Sequence, residues 1–165
     1  MEKTFEKATF GAGCFWGVEA LFKRVDGVVD IDSGYMGGSV KDPSYEDVST
    51  GMSGHAEVVQ IVYDRDRVTF EQLVAYFWRL HNPTTANRQG VDIGPQYRSV
   101  IFYHSEEQRK IAENSKRAFD ESMVFQNAVV TEIVPVQRFY KAEEYHQDFY
   151  DKHMNKSLCH VLRDE

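Results

Sequence analysis

Five stretches rich in β-branched and aromatic residues alternate in this chain with stretches of helical spacing, and that alternation restricts the fold to a sheet with helices packed on it. The strand-like segments are Phe5 to Phe10, Val28 to Tyr35, Glu57 to Tyr63, Tyr97 to Tyr103 and Val129 to Val136, whose side chains suit a pleated, half-buried surface. Two of the helices announce their starts. In Thr69-Phe70-Glu71-Gln72 and Ser105-Glu106-Glu107-Gln108 a hydroxyl residue stands three places before a glutamine, so each side chain can take the other's backbone amide. The stripes Leu73/Val74/Phe77/Leu80 and Ile111/Ala112/Ser115/Phe119 follow, and Asn82-Pro83 stops the first because proline disfavours the α conformation in the residue before it. A last helix is expected from near Ala142 through Tyr145, Phe149 and His153. The predicted fold class is α/β (α+β): a two-layer sandwich, a mixed sheet covered by helices.

At 165 residues the chain has the size of one domain, able to bury roughly 68–70% of its unfolded surface. No repeat, low-complexity tract or Pro/Gly/Ser-rich linker divides it, so one domain over 1–165 is expected, with a mobile tail over 154–165. A net charge of −7 without a basic cluster argues against nucleic acid or an anionic membrane as partner. No run approaches the ~18 apolar residues of a membrane span, and the first seven residues lack the apolar core of a signal peptide. A cytoplasmic protein is the reading. Its two cysteines, Cys14 and Cys159, would then meet reducing conditions, which disfavour a permanent disulfide and allow a transient catalytic one.

Cys14 lies in Gly13-Cys14-Phe15-Trp16-Gly17, where an extended run turns helical: Val18, Leu21, Phe22 and Val25 recur at helical spacing after it. In a first helical turn the unpaired amides and the positive end of the dipole favour a thiolate, which can lower a thiol pKa from about 8.5 to roughly 3.5–7.5. The competing reading is an inert buried cysteine. Trp16 argues against it, because it falls off the apolar stripe and is better explained as a pocket wall beside the thiol. Two long segments, 34–54 and 83–96, fit neither element type and read as ordered functional loops. At the end of the first stands Glu57, in Gly54-His55-Ala56-Glu57-Val58-Val59, entering an apolar strand. Desolvation there raises a carboxyl pKa and makes it a proton donor, while the alternative is a solvated strand-end carboxylate. Tyr45 and Tyr97 are further donors reached from the two loops, and Asp92 is placed to orient them. A thiol, an acid and phenols in an aromatic pocket suit reduction of a polarised oxygen.

Six strings, Gly13-Cys14-Phe15-Trp16-Gly17, Gly34-Tyr35-Met36-Gly37-Gly38, Gly54-His55-Ala56-Glu57, His81-Asn82-Pro83-Thr84, the run from Gln89 to Ser99, and Glu143-Glu144-Tyr145-His146-Gln147, together resemble the peptide methionine sulfoxide reductase A family over nearly the whole chain. The resemblance implies a ferredoxin-like α/β roll that reduces the S epimer of methionine sulfoxide, free or in proteins, without a bound metal or organic cofactor. Carried over by position, it implies that Cys14 attacks the sulfoxide sulfur and Glu57 holds a proton for the oxygen. Tyr45 and Tyr97 would hydrogen-bond that oxygen, Asp92 would position the second tyrosine's loop, and Phe15 and Trp16 would receive the substrate methyl group. It further implies that the sulfenic acid left on Cys14 is resolved by Cys159 and the disulfide returned to dithiol by thioredoxin. Family members often set the resolving cysteine in a glycine-rich tail, whereas Asn155-Lys156-Ser157-Leu158-Cys159-His160 has no glycine.

Two other classes use part of these residues. A cysteine hydrolase would pair Cys14 with His55 or His81 as base but leaves Trp16, Glu57 and the Gln89 to Ser99 run without a role. A metal-binding protein would use His146, His153, Cys159 and His160, although this spacing is not a standard zinc signature.

Overall fold

In a computed structural model, which describes residues 4–153 and 160–164, the chain runs β1 (Phe5–Ala12), α1 (Phe15–Phe22), β2 (Val28–Met36), α2 (Tyr45–Ser49), β3 (Ala56–Asp64) and α3 (Phe70–Arg79). It continues through a small hairpin, β4 (Arg88–Gln89) and β5 (Asp92–Ile93), a 3-10 turn at Pro95–Tyr97, β6 (Ser99–Tyr103) and α4 (Glu106–Glu121). The last elements are β7 (Glu132–Pro135), β8 (Tyr140–Lys141), a 3-10 turn at Glu144–His146 and α5 (Phe149–Lys152). Six strands form one mixed sheet in the order β7-β6-β1-β3-β2-β8. Only the β6–β7 pair is parallel; the other pairs are antiparallel.

Alternation along the strands divides the apolar residues between two faces. Phe10, Val59, Ile61 and Ile101 join Val18, Leu21 and Phe22 of α1 and Leu73, Val74 and Phe77 of α3 in the main core. Phe10 is central to it, its ring stacked between those of Phe22 and Phe77 at 5.2 Å from each. Burying one such ring contributes about 2–3 kcal/mol. The opposite face carries a smaller cluster of Met36, Ala56, Val58, Val100 and Phe102, covered by Val134 and Phe139. The two-layer mixed sandwich is thus as expected.

The predicted strands are all present, and so are the helix starts. Thr69 and Gln72 exchange both capping bonds, while Ser105 keeps only its own half: its hydroxyl accepts the Gln108 amide. The Gln108 side chain instead accepts from His104 N–H and donates to Lys7 O, both at 2.8 Å, tying α4 to β1. Two departures matter for the site. The segment read as a loop over 34–54 contains α2, opened by a full capping box between Ser44 and Asp47; five residues are too few to show a period. The single helix expected from Ala142 to His153 is broken, because the Gln147 side chain is used as a strand edge. Its Oε1 accepts from Ser33 N–H, and its Nε2 donates to Ser33 O and Ala142 O. Asp148 then takes a left-handed conformation, φ 54°, before α5 begins.

Candidate active site

β1 ends at Ala12 and the chain turns at Gly13, where φ is +95° and a Cβ would lie 2.8 Å from Gln89 Cγ. Only glycine meets both constraints without strain. Cys14 comes next as the N-cap residue of α1, one place before the first helical turn rather than inside it, and its side chain makes no capping bond. It is half-buried at the helix end that favours an anion. Glu57, the second residue of β3, lies on the helix-facing side with Val59 and Ile61, which brings it under the start of α1. It is 1% exposed, and the first amide of the helix, Phe15 N–H, donates to its Oε1 at 3.1 Å. One peptide unit therefore links the thiol residue to the buried carboxyl.

The two predicted phenols converge on this pair. Tyr45 opens α2, and Tyr97 ends the 3-10 turn that follows the hairpin. Burial raises the pKa of Tyr45, and the charges of Glu57 and Cys14 add to the shift, against a hydrogen bond from Ser49. Burial holds Tyr97 well above the ordinary phenol range, reinforced by Glu57, Tyr45, Asp92 and Cys14. Both phenols therefore stay protonated as donors. Asp92, at the start of β5, is near enough to Tyr97 for its charge to be felt.

The aromatic wall is built around a residue that was not among the predicted site residues. His146, 1% exposed, accepts a hydrogen bond on Nδ1 from Trp16 Nε1–H at 2.9 Å. Its ring packs against Phe15, Trp16, Tyr45 and Tyr145 at centroid distances of 5.2, 5.7, 4.5 and 4.1 Å. Accepting at Nδ1 fixes the neutral tautomer with the proton on Nε2, in agreement with a pKa lowered by burial. Trp16 stacks on Phe149 at 3.7 Å and 5°, whereas Phe15 is buried in the core against Tyr35. Glu143 fixes the pocket from behind, its carboxylate accepting from Tyr35 O–H and from Tyr45 N–H, the first amide of α2.

Glu19, also absent from the predicted set, secures Phe149. Its buried Oε1 accepts Asp148 N–H at 2.9 Å, and Lys23 one turn on bridges Asp148 and Asp151. Burial and the Asp148 charge push the Glu19 carboxyl up to about 7, with Lys23 and the 148–149 amides acting the other way.

The rival bases are occupied. His81 donates from Nδ1 to Phe77 O and accepts on Nε2 from Ser99 Oγ, and burial lowers its pKa to about 3. His55 accepts Gly38 N–H on Nδ1 and donates from Nε2 to Val40 O. Neither is poised to deprotonate Cys14. Of the residues in the metal reading, His146 is bonded to Trp16, His153 to Phe149 O and His160 to Ala12 O, and no three potential ligands group together among the described residues. Cys159 lies outside the described residues. Its neighbour His160 is buried, and Arg163 N–H donates to Arg79 O while its guanidinium donates to His81 O and Trp78 O. His160 and Arg163, described residues of the C-terminal segment, thus bond to the body of the fold. A groove of about 780 Å³ between α3 and α4, lined by Tyr76, Trp78, Phe119 and Arg163, lies apart from the Cys14 cluster.

A family described as "Peptide methionine sulfoxide reductase" matches residues 6–165. The chain is 55% identical over 159 residues to the peptide methionine sulfoxide reductase MsrA of Methanothermobacter thermautotrophicus, covering 96% of this chain and 94% of that one. Among solved structures it is similar to Mxr1 of Saccharomyces cerevisiae in reduced form, with TM-score 0.91 and 36% identity over 98% of this chain and 93% of that one. Mxr1 in complex with Trx2 matches with TM-score 0.67 and 29% identity over 98% of this chain and 91% of that one.

Proposed function

The chain belongs to the peptide methionine sulfoxide reductase family, and on that premise we propose that it reduces methionine-S-sulfoxide, free or in proteins, by a thiol cycle on Cys14. The observation that carries the reading is the bond from Phe15 N–H to Glu57 Oε1, which sets a buried acid beside the residue that bears the thiol. The Cys14 thiolate attacks the sulfoxide sulfur. Glu57 gives a proton to the oxygen, which is a poor leaving group until protonated, and Tyr45 and Tyr97 hydrogen-bond it as negative charge grows there. Asp92 holds the hairpin segment from which Tyr97 is presented. Phe15 and Trp16, backed by His146 and Phe149, receive the methyl group. Oxygen passes from the substrate to Cys14, so methionine leaves and a sulfenic acid remains.

Cys159 then attacks the sulfenic sulfur, releasing water and forming a Cys14–Cys159 disulfide. Its reach is supported by chain connectivity, because the adjoining His160 donates to Ala12 O at 2.7 Å, two residues before Cys14. A thioredoxin returns the disulfide to two thiols, a partner supported by the likeness to Mxr1, which has been solved with Trx2. Such a cycle belongs in a compartment that keeps thiols reduced, the cytoplasm. No helix among the described residues is long and apolar enough to cross a membrane. The test is one turnover without reductant: each protein should release one methionine and lose both titratable thiols. Methionine release with Cys159 still reactive would remove the resolving role.

A further inference from the structure

Glu19 is a buried ionisable group that the thiol cycle leaves unused. It is 2% exposed on α1, three residues after Trp16 and four before Lys23, so the three side chains share one face of the helix. That face is covered by α5. Glu19 Oε1 accepts Asp148 N–H at 2.9 Å, and Lys23 bridges Asp148 and Asp151. The other oxygen, Oε2, is buried without a hydrogen-bond partner, a desolvation cost that an apolar residue in this place would avoid. What the carboxyl anchors is short and conformationally demanding. α5 has four residues, far below the ~12–15 at which a helix stands alone in water, and it starts from Asp148 at φ 54°, a left-handed conformation that residues other than glycine rarely adopt. Its place therefore depends on its contacts. Gln147 is tied to Ser33 of β2 and Asp148 to Glu19, so the backbone is fixed at the two successive residues before Phe149. The Phe149 ring then lies flat on Trp16 at 3.7 Å and 5°, while Trp16 Nε1–H is held by His146. One face of α1 thus carries both the indole of the wall and the anchor of the ring behind it.

We propose that Glu19 is a positioning residue for substrate binding: by holding Asp148 N–H it sets Phe149 flat against Trp16, and so fixes the wall that the substrate methyl group meets. The inference rests on the function assigned above. Glu19 touches neither substrate nor thiol, and it acts only through the ring that α5 carries. Without the anchor the turn at Asp148 relaxes from its left-handed conformation, Phe149 leaves the indole, and Trp16 is backed on one side only. Binding weakens, while Cys14 and Glu57, held by β1, β3 and the first amide of α1, keep their places. The chemical step is then unchanged once substrate is bound.

The experiment is single-turnover methionine release from an S-epimer methionine sulfoxide peptide without reductant, which yields the amplitude per protein, the plateau rate and the half-saturating concentration. Glu19→Ala should raise the half-saturating concentration about tenfold and leave the plateau rate within about threefold. Glu19→Gln keeps a carbonyl oxygen for Asp148 N–H, so it should stay within about twofold of wild type. Phe149→Ala should give the same rise of about tenfold, and the double variant Glu19→Ala/Phe149→Ala should be no worse than either single one, because Glu19 acts through the ring. Glu19→Asp withdraws the acceptor by one methylene; it should raise the half-saturating concentration at least about threefold, and it carries the test if Glu19→Ala does not fold. A loss of amplitude alone would make Glu19 a residue of stability and overturn the proposal. So would an unchanged half-saturating concentration in Glu19→Asp or Glu19→Ala, a Glu19→Gln as impaired as Glu19→Ala, or losses that multiply to about a hundredfold in the double variant. Absence of methionine release by wild type would instead refute the enzymatic reading itself.

Discussion

Cys14→Ser is expected to lower sulfoxide reduction by more than about 10³-fold. A serine hydroxyl fits the N-cap position, and serine is a favoured N-cap residue, so the variant should fold as well as the wild type. What it loses is the nucleophile. At the start of α1 the unpaired amides and the dipole favour a thiolate, whereas an alcohol there stays protonated at neutral pH and is a hard, weak nucleophile towards sulfur. Nor can serine accept the oxygen and then exchange it for a disulfide, so both halves of the cycle fail together. The rate of methionine release with dithiothreitol is the measurement; residual activity above about a tenth of wild type would remove Cys14 from the chemistry.

Glu57→Gln should slow the chemical step about 10²- to 10⁴-fold, the range for losing a general acid, with KM nearly unchanged. Glutamine keeps an oxygen where Phe15 N–H now donates to Glu57 Oε1, so α1 and the thiol should hold their places. The proton is what disappears. Tyr45 and Tyr97 do not replace it, because burial, helped by the charge of Cys14, raises their pKa values and leaves them as hydrogen-bond donors rather than acids. A defect confined to KM would make Glu57 a binding residue.

Much of this arrangement is local and could be read along the chain. The turn at Gly13, the strand carrying Glu57 and the helix opened by Thr69 are each set by neighbours within a few residues, and they appear where periodicity and capping place them. Apart from α2, the misread parts depend on distant partners. Glu143 to His153 has helical spacing, yet Gln147 bonds the β2 backbone at Ser33, 114 positions away, and that contact breaks the helix. In the sequence His146 stands out only within a family string and as a possible metal ligand; its bond to Trp16 spans 130 positions, beyond any local pattern. Glu19 falls within the α1 stretch, and nothing in the sequence signals that Asp148 adopts a left-handed conformation against it. The α2 helix could have been found from Ser44-Tyr45-Glu46-Asp47, a hydroxyl residue followed three places later by a carboxylate.

The pocket geometry makes one demand that a flat or unrelated site would not. Sulfoxide sulfur is a chiral centre. If the methyl group faces Phe15 and Trp16 while the oxygen faces Glu57, Tyr45 and Tyr97, the rest of the side chain has one exit, so only one epimer can be attacked productively. The most direct test is to give the intact protein each epimer of a methionine sulfoxide peptide with dithiothreitol and follow methionine formation. The S epimer should be consumed completely and the R epimer left untouched; equal rates on both would contradict the site described here.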